Sequence, residues 1–194
     1  MLNSEQIAPK ILVAAFKCYS ARDYRATSLS KIAETAGTTK QVVLHHFTSK
    51  QQLYFEVLNT VRERLIGWLD EAESTSSSTN ELLGNFILKL LEPERAETLS
   101  VALRATSDPI VMELGIKNWP LRPFFDKLRK LTTNEQTRSS ETEEKTFALV
   151  YGLLGSVGLF LATSEVLSSM YGDVTLQNIA KSMERESRHR IAWL

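Results

Sequence analysis

The segment Thr27–Lys50, TSLSKIAETAGTTKQVVLHHFTSK, has the pattern of two short helices joined by a tight turn and followed by the start of a third. Its first apolar residues recur at the i, i+3, i+4 and i+7 spacing of one helix face: Leu29, Ile32, Ala33 and Ala36. Ser28 stands before this stripe and can cap the helix, because its hydroxyl can accept an N–H of the first turn. Gly37 follows the stripe, where a helix end favours a residue that tolerates positive φ. The pattern therefore predicts a short amphipathic helix between these two residues.

A second short helix is predicted to start near Thr38 or Thr39. Val43 and Phe47 lie four residues apart and can share its inward face. The side chains that mostly point elsewhere are polar and can bond phosphates or base edges: Thr39, Lys40, Gln41, His45 and His46. Two short helices joined by a glycine-containing turn, the second with a polar outer face, are typical of a DNA-binding helix-turn-helix.

These residues also resemble a known family. The runs T-S-L-x-x-I-A-x-x-A-G and T-K-x-x-x-x-H-H-F-x-S-K-x-x-L-Y are similar to the DNA-binding domain of the tetracycline-repressor (TetR) family, over about residues 8–58. Thr38 replaces the family's usual valine, and Leu44 and His46 replace its common tyrosine. The resemblance implies an all-α fold, with an N-terminal three-helix helix-turn-helix DNA-binding domain at 1–50 and a C-terminal helical ligand-binding and dimerisation domain at 51–194.

Length and charge are compatible with this organisation. The 194 residues, 43% of them hydrophobic, can bury a substantial core. The whole chain has a formal net charge of zero, but seven basic and four acidic residues up to Thr60 leave +3 there and −3 in the remainder. A modestly basic head suits contact with DNA at one end of the protein. Ordinary scatter of surface charges explains the same balance equally well.

Cysteine usage and the N-terminus favour a cytoplasmic protein. Cys18 is the only cysteine, so no disulfide can form within the chain. No secretory signal is apparent at the N-terminus. We expect Cys18 to be a small buried hydrophobic residue of the first helix rather than a redox sensor.

One segment competes for a membrane interpretation. No charged residue lies between Lys145 and Glu165, and this length suffices for a transmembrane candidate. Several glycine and hydroxyl residues, and the lack of a basic flank or an aromatic belt, argue against a span. A helix that is apolar all round can instead be buried in a soluble core or at a dimer interface, so no membrane partner is expected.

The rest of the chain has helical periodicity and no convincing strand or repeat, which predicts nine to ten helices in all. Ser4 is expected to cap the first helix, with Pro9 in its first turn. The polar segments 74–79 and 131–141 are expected to form loops. Outside the helix-turn-helix, the expected helices are 4 to about 21, 50–73, 81–91, 93–106, one from 108, one ending near 130, 143–167 and 175–190.

Side-chain chemistry assigns roles on the second helix of the motif. Lys40 can neutralise a phosphate or reach guanine, and Gln41 can pair with adenine through two hydrogen bonds. His45 and His46 can bond phosphates or base edges; by the family resemblance, His46 contacts phosphate. Mainly phosphate contacts are expected from Ser28, Thr39 and Lys50. The alternative is that these polar side chains form an ordinary solvated face.

No other chemistry stands out in the sequence. His45 and His46 point about 100° apart on a helix and do not converge on one ion, so we expect neither a metal nor a cofactor. The sequence contains no glycine-rich phosphate loop and no H-E-x-x-H, and Cys18 has no evident base beside it. The protein is therefore not expected to be an enzyme.

The resemblance also implies two roles for the C-terminal domain, which we call the body. The helices Phe147–Ala162 and Thr175–Arg190 look like the pair that forms a four-helix dimer interface in the family. The family's body holds a small-molecule cavity, and large side chains on different helices can wall such a pocket. The candidate lining residues are Trp68, Phe86, Leu103, Trp119, Phe125 and Tyr151, with Arg104 facing an acidic ligand group. Plain core packing within one subunit is the alternative for all of them.

The expected function is that of a cytoplasmic, homodimeric, ligand-responsive repressor that binds a palindromic operator through Thr39–His46. The partners are then double-stranded DNA, a second copy of the chain and a small-molecule effector. An activator, or a regulator without a ligand, is the alternative within the same fold. A helical small-molecule-binding or membrane-anchored protein with a vestigial motif is the alternative from a different class.

Overall fold

A computed structural model of the chain describes residues 4–110, 113, 115–132 and 140–191. Within these ranges the protein is helical and contains no strand, which confirms the all-α prediction. Two 3₁₀ helices, Pro93–Arg95 and Ile116–Asn118, accompany the α-helices. Nine α-helices have both bounds within the described residues: α1 (Ser4–Ala21), α2 (Leu29–Ala36), α3 (Lys40–Phe47), α4 (Lys50–Ser74), α5 (Thr79–Leu90), α6 (Ala96–Ser107), α7 (Arg122–Thr132), α8 (Ser140–Tyr171) and α9 (Asp173–Ile191).

Three expected boundaries were wrong. Pro9 lies inside α1 rather than in its first turn, because the helix already begins at Ser4. The helix continues past the proline, which removes only the N–H that would bond one turn back. The apolar helix α8 is longer than 143–167, and α7 extends to Thr132, so both ends of the expected 131–141 loop are helical. Residues 133–139 of that loop, and residues 111, 112 and 114 of the helix expected from 108, lie outside the described residues. Ile110 and Glu113 are helical as expected, whereas Ile116–Asn118 form a 3₁₀ helix.

The chain divides into two compact units. The first contains residues 1–64 and 100–122, and the second contains residues 65–99 and 123–194. Helix α4 runs without a break from the first unit into the second. The division into functional domains at 1–50 and 51–194 remains a prediction.

The core of the first unit lies where α1 packs against α2 and α3. Its fully buried residues include Ile11, Ile32, Val43 and Val57. A cluster of aromatic rings adjoins this core: the ring of Tyr54 lies 4.8 Å from those of Tyr19 and Tyr24. Because these apolar contacts come from several helices at once, they hold α2 and α3 at a fixed angle.

In the second unit, α5, α8 and α9 pack against one another. Fully buried leucines and other large apolar side chains fill the space between the helices, among them Leu83, Phe86, Leu128 and Val150. The Ser-rich segment interrupts the helices as expected, and Ser78 caps α5 by accepting the N–H of Glu81 at 3.2 Å. Ser77 in turn donates its N–H to the Glu81 carboxylate, so this helix start is held from both sides.

Helix α8 has one buried and one exposed apolar face. Its segment Glu144–Tyr171 is long and apolar enough to cross a membrane by length and composition alone, which is weak support for a span. Only 28% of its most apolar stretch is buried within the chain. The exposed residues recur three or four apart along one side, and we name them the α8 stripe: Ala148, Gly152, Gly155, Leu159, Ala162, Val166 and Met170.

Candidate nucleic-acid interface

The α2–turn–α3 segment has the geometry that its sequence predicts. Ser28 caps α2, with its hydroxyl oxygen 3.1 Å from the backbone nitrogen of Lys31. Gly37 ends the helix in the left-handed region, with φ of 64°. The backbone N–H groups of Gly37 and Thr38 return to the carbonyls of Glu34 and Ala33. These bonds satisfy carbonyls that the helix end would otherwise leave open, and they set the direction of the turn.

Thr39 begins α3 in the same way. Its hydroxyl oxygen accepts the N–H of Val42 at 3.4 Å, and its backbone is extended. Each capping hydroxyl still has its own O–H to donate. Ser28 and Thr39 can therefore hold their helix starts and donate to a phosphate oxygen at the same time, as the sequence prediction requires.

The two sides of α3 differ sharply. Val43 and Phe47 are buried against the other helices of the first unit. Lys40, Gln41, Leu44 and His45 are exposed, and His46 is half-buried. This separation places hydrogen-bonding side chains together on an accessible helix face.

Two adjacent histidines of α3 have rings close to one another. The rings of His45 and His46 lie 5.4 Å apart and meet edge to face, at 76°. Among the described residues, no group of three or more histidine, cysteine or acidic side chains could hold an ion. Their geometry suits two separate hydrogen-bond donors or acceptors along the face of α3.

Lys50 contacts an aromatic ring of its own unit, and its phosphate contact remains a prediction. Its amino group lies 4.3 Å from the centroid of the Tyr24 ring, a cation–π distance. Burial lowers the pKa of Lys50, and the nearby charges of Asp108 and Asp23 act in the opposite direction. The side chain thus rests on a cluster within its own unit rather than extending into solvent. The sequence held no signal for this contact, because Asp108 is far away along the chain.

Thr48 connects α3 to α4 in a strained conformation. Its φ is 49° and its ψ is −37°, and the N–H of Ser49 bonds back to the carbonyl of Phe47 across it. This is a γ-turn of the rare kind with positive φ, which is unfavourable for a β-branched residue. The Thr48 hydroxyl donates to the side-chain oxygen of Gln52. The local strain is consistent with a joint that fixes how α3 projects from α4.

The candidate ligand-lining residues are divided between the two units. Leu103, Arg104 and Trp119 belong to the first unit, whereas Trp68, Phe86, Phe125 and Tyr151 belong to the second. Arg104 is exposed and lines a cavity of about 300 Å³ in the first unit. The other residues that line this cavity are Asp23, Arg25, Ser107, Asp108 and Pro109.

Within the second unit, the four candidates have different surroundings. Phe86 is fully buried, with its ring 6.1 Å from Phe124, which in turn lies 5.2 Å from Phe125. Trp68 lies 4.5 Å beneath the guanidinium of Arg95. Tyr151 is 57% exposed and faces outward. Phe86 is therefore placed as a core residue, and a lining role for any of the seven remains a prediction.

A second opening, which the sequence did not suggest, lies between α8 and α9. It has a volume of about 460 Å³ and contains none of the predicted lining residues. Its walls combine apolar side chains such as Leu153 and Ile179 with the polar side chains of Asn178 and Glu186. One wall of this groove is formed by α8, the helix that also carries the α8 stripe.

The Ser28 cap should have a measurable effect on stability. We expect Ser28→Ala to lower the free energy of unfolding by about 1 kcal/mol, because the N–H of Lys31 loses its acceptor. Ser30→Ala is the matched control, because Ser30 is exposed inside α2, where alanine is a better helix former. Urea denaturation of both variants tests the prediction, and equal stabilities would show that the cap does not contribute.

The described fold defines the class of protein: an all-α chain that presents a capped helix-turn-helix at one unit's surface. Residues 11–57 match the family described as bacterial regulatory proteins, tetR family. Residues 11–57 of this chain are therefore similar to the DNA-binding segment of TetR-family regulators. This confirms the resemblance found in the sequence.

Two curated relatives share the N-terminal part of the chain. The HTH-type transcriptional activator FasR of Mycolicibacterium smegmatis is 32% identical over 74 residues, which are 38% of this chain and 34% of the relative. The HTH-type transcriptional repressor KstR2 of the same species is 30% identical over 83 residues, 43% of this chain and 40% of the relative. The matches thus span well under half the length of these relatives.

Solved structures share the fold over nearly the whole chain. A TetR-like transcriptional regulator from Rhodococcus sp. RHA1 superposes with a TM-score of 0.70 at 18% identity, covering 99% of both chains. The fatty acid degradation regulator FadR from Bacillus halodurans gives a TM-score of 0.62 at 17% identity, over 94% of both chains. A gamma-butyrolactone receptor (ArpA-like protein) gives 0.61 at 20% identity, over 97% of this chain and 100% of the receptor. These likenesses concern the fold.

Proposed function

We propose that this protein is a transcriptional regulator that binds a palindromic DNA operator as a homodimer and releases it in response to a small molecule. The carrying observation is the exposed face of α3, which presents Lys40, Gln41 and His45 while Val43 and Phe47 anchor the helix. In a helix-turn-helix protein, this second helix enters the major groove, where every base pair shows a distinct pattern of donors and acceptors. The capping hydroxyls of Ser28 and Thr39 fit phosphate contacts beside it.

The α8 stripe supports the homodimer. Leu159, Val166 and Met170 are each more than half exposed, with small residues between them. Contiguous apolar surface of this kind marks an interaction site, and two copies of the same stripe can cover one another around a two-fold axis. Small residues allow the facing helices to approach closely. Such a dimer would present two copies of α3 to two half-sites of one operator.

A membrane anchor is the competing use of the same apolar helix. The relatives that match the N-terminal segment are named as an activator and a repressor of transcription, which favours a soluble, cytoplasmic regulator. The stripe also covers only one side of α8, because Val150, Leu153 and Val157 on the other side are buried within the chain. One-sided exposure suits a protein interface better than a lipid-surrounded span.

The names of two structural neighbours suggest a chemical class for the effector. One is named a gamma-butyrolactone receptor and another a fatty acid degradation regulator. A small, largely apolar molecule with one polar group is therefore the effector class we favour, and the half-buried Trp68 and Phe125 are the best placed of the candidate contacts. Because the relatives include both an activator and a repressor, repression is proposed with activation as its alternative.

The test is selection of bound duplexes from a random pool by the purified full chain. We expect an inverted repeat with half-site centres about 34 Å apart. Gln41→Ala should relax the preference at defined bases, and His46→Ala should weaken binding to all sequences, because Gln41 is assigned a base edge and His46 a phosphate. Gln6→Ala, an exposed glutamine on α1, is the matched control and should select the wild-type repeat.

The outcome of this selection distinguishes a DNA-binding regulator from a small-molecule-binding protein. Enrichment of a repeat, with affinity that falls steeply as salt rises, establishes phosphate and base contacts. If the folded dimer enriches no sequence at low salt, the regulator is excluded and the small-molecule-binding alternative takes its place.

A further inference from the structure

Leu44 is an exposed apolar side chain within the otherwise polar outer face of α3. It is 37% exposed, whereas Val43 beside it is fully buried. Val43 and Phe47 are the buried residues of α3, and Leu44 lies about 60° around the helix axis from Phe47, outside the buried side. A single exposed leucine is common on protein surfaces, but among hydrogen-bonding side chains it is available for contact with an apolar group of a partner.

The position of Leu44 on the helix limits which groups of a partner it can contact. At 100° per residue, Leu44 lies about 40° around the helix axis from Lys40 and about 60° from Gln41. It stands between the two side chains that the proposed function assigns to phosphate and base edges. Leu44 lies one turn further along the helix than Lys40, so it extends the exposed surface that these side chains share.

The chemistry of the major groove offers one apolar group. The base edges there present hydrogen-bond donors and acceptors, together with the C5-methyl group of thymine. Cytosine has no such methyl group, and neither purine presents one. A leucine side chain flanked by polar ones therefore distinguishes thymine by burying this methyl group.

We propose that Leu44 contacts the C5-methyl group of a thymine in each operator half-site and makes T·A the preferred pair at that position. This inference rests on the proposed function, because it needs α3 in the major groove. It adds a specificity-determining residue whose contact is apolar and independent of hydrogen bonding. A methyl group has about the apolar surface of one CH2, so its loss should weaken binding about fourfold per half-site.

The experiment replaces thymine by 2′-deoxyuridine in the selected operator, one symmetry-related pair of positions at a time. Uracil keeps every donor and acceptor of thymine and lacks only the methyl group. For the full wild-type chain, one pair of positions should show roughly fifteenfold weaker binding, the product of two fourfold losses. Leu44→Ala should bind the thymine operator about as weakly as the wild type binds the uracil operator. It should also be insensitive to the replacement at that pair.

Val13→Ala is the matched control. Val13 is an exposed aliphatic residue of the same unit, 68% exposed on α1 rather than α3. This variant should keep the full loss on thymine replacement. The inference is overturned if the operator is bound but no thymine replacement affects the wild type more than Leu44→Ala; the proposed function then stands. If no duplex is bound at low salt, the proposed function fails, and the inference fails with it.

Discussion

Leu159→Arg is expected to convert the proposed dimer to a monomer and to weaken operator binding by 10²–10⁴-fold, the usual gain from linking two binding events. Leu159 is 66% exposed at the centre of the α8 stripe. In a two-fold interface, the substitution would place two like charges against apolar partners, and neither guanidinium would have a counter-ion. Sedimentation gives the mass of the particle, and fluorescence anisotropy on a labelled operator gives its affinity.

The effect of an introduced arginine on the dimer should depend on its position in the protein and not on its charge alone. Val13→Arg introduces the same side chain at an exposed valine on α1, and it should remain dimeric. Leu159→Ala should weaken the dimer less than the arginine variant does, because it removes apolar area without burying a charge. A fully dimeric Leu159→Arg protein would contradict the assignment of the stripe to the dimer interface. Loss of solubility without detergent in the wild type would instead favour the membrane alternative.

Phe86→Ala is expected to lower the free energy of unfolding by about 3–5 kcal/mol, the usual cost of deleting a fully buried ring. The Phe86 side chain has no exposed surface, and Phe124 lies 6.1 Å from it. The substitution leaves a cavity that neighbouring helices close only in part. Because whole proteins are stable by about 5–15 kcal/mol, this one change removes a large share of the total. Thermal and urea denaturation of the purified protein measure the loss.

Phe125→Ala is the matched control, because it removes the same ring from the same unit. Phe125 is half-buried, so its loss of stability should be clearly smaller. Phe86→Leu should cost less than Phe86→Ala, and it serves as the folded reference if the alanine variant does not fold. An unchanged stability for Phe86→Ala would show that this ring is not part of the core and would restore it as a ligand contact.

The helix-turn-helix was predictable because its signals are local. Ser28, Gly37 and Thr39 act on neighbours within one turn, and the caps and the left-handed residue follow from the chemistry of those side chains. The inward residues Val43 and Phe47 followed from spacing alone. Such local interactions persist in the folded protein because few tertiary contacts compete with them.

The parts that were missed depend on distant contacts or on weak patterns. The contact of Lys50 with Tyr24, near Asp108, could not be predicted because no local pattern links these residues. The start of α8 was read as a loop because it is polar, although glutamates are good helix formers. Since α8 is apolar on every side, its sequence could not show which face would be buried and which would form the stripe.

Helix α4 has a mechanical consequence. Its 25 residues form one rod about 37 Å long, because an α-helix rises about 1.5 Å per residue. A tilt of about 5° at one end of such a rod displaces the other end by about 3 Å. In a symmetric dimer, two such displacements in opposite directions add to about 6 Å, against a half-site separation of about 34 Å. In the proposed dimer, a small rearrangement near Ser74 is therefore enough to move the two copies of α3 out of register with half-sites one turn of DNA apart.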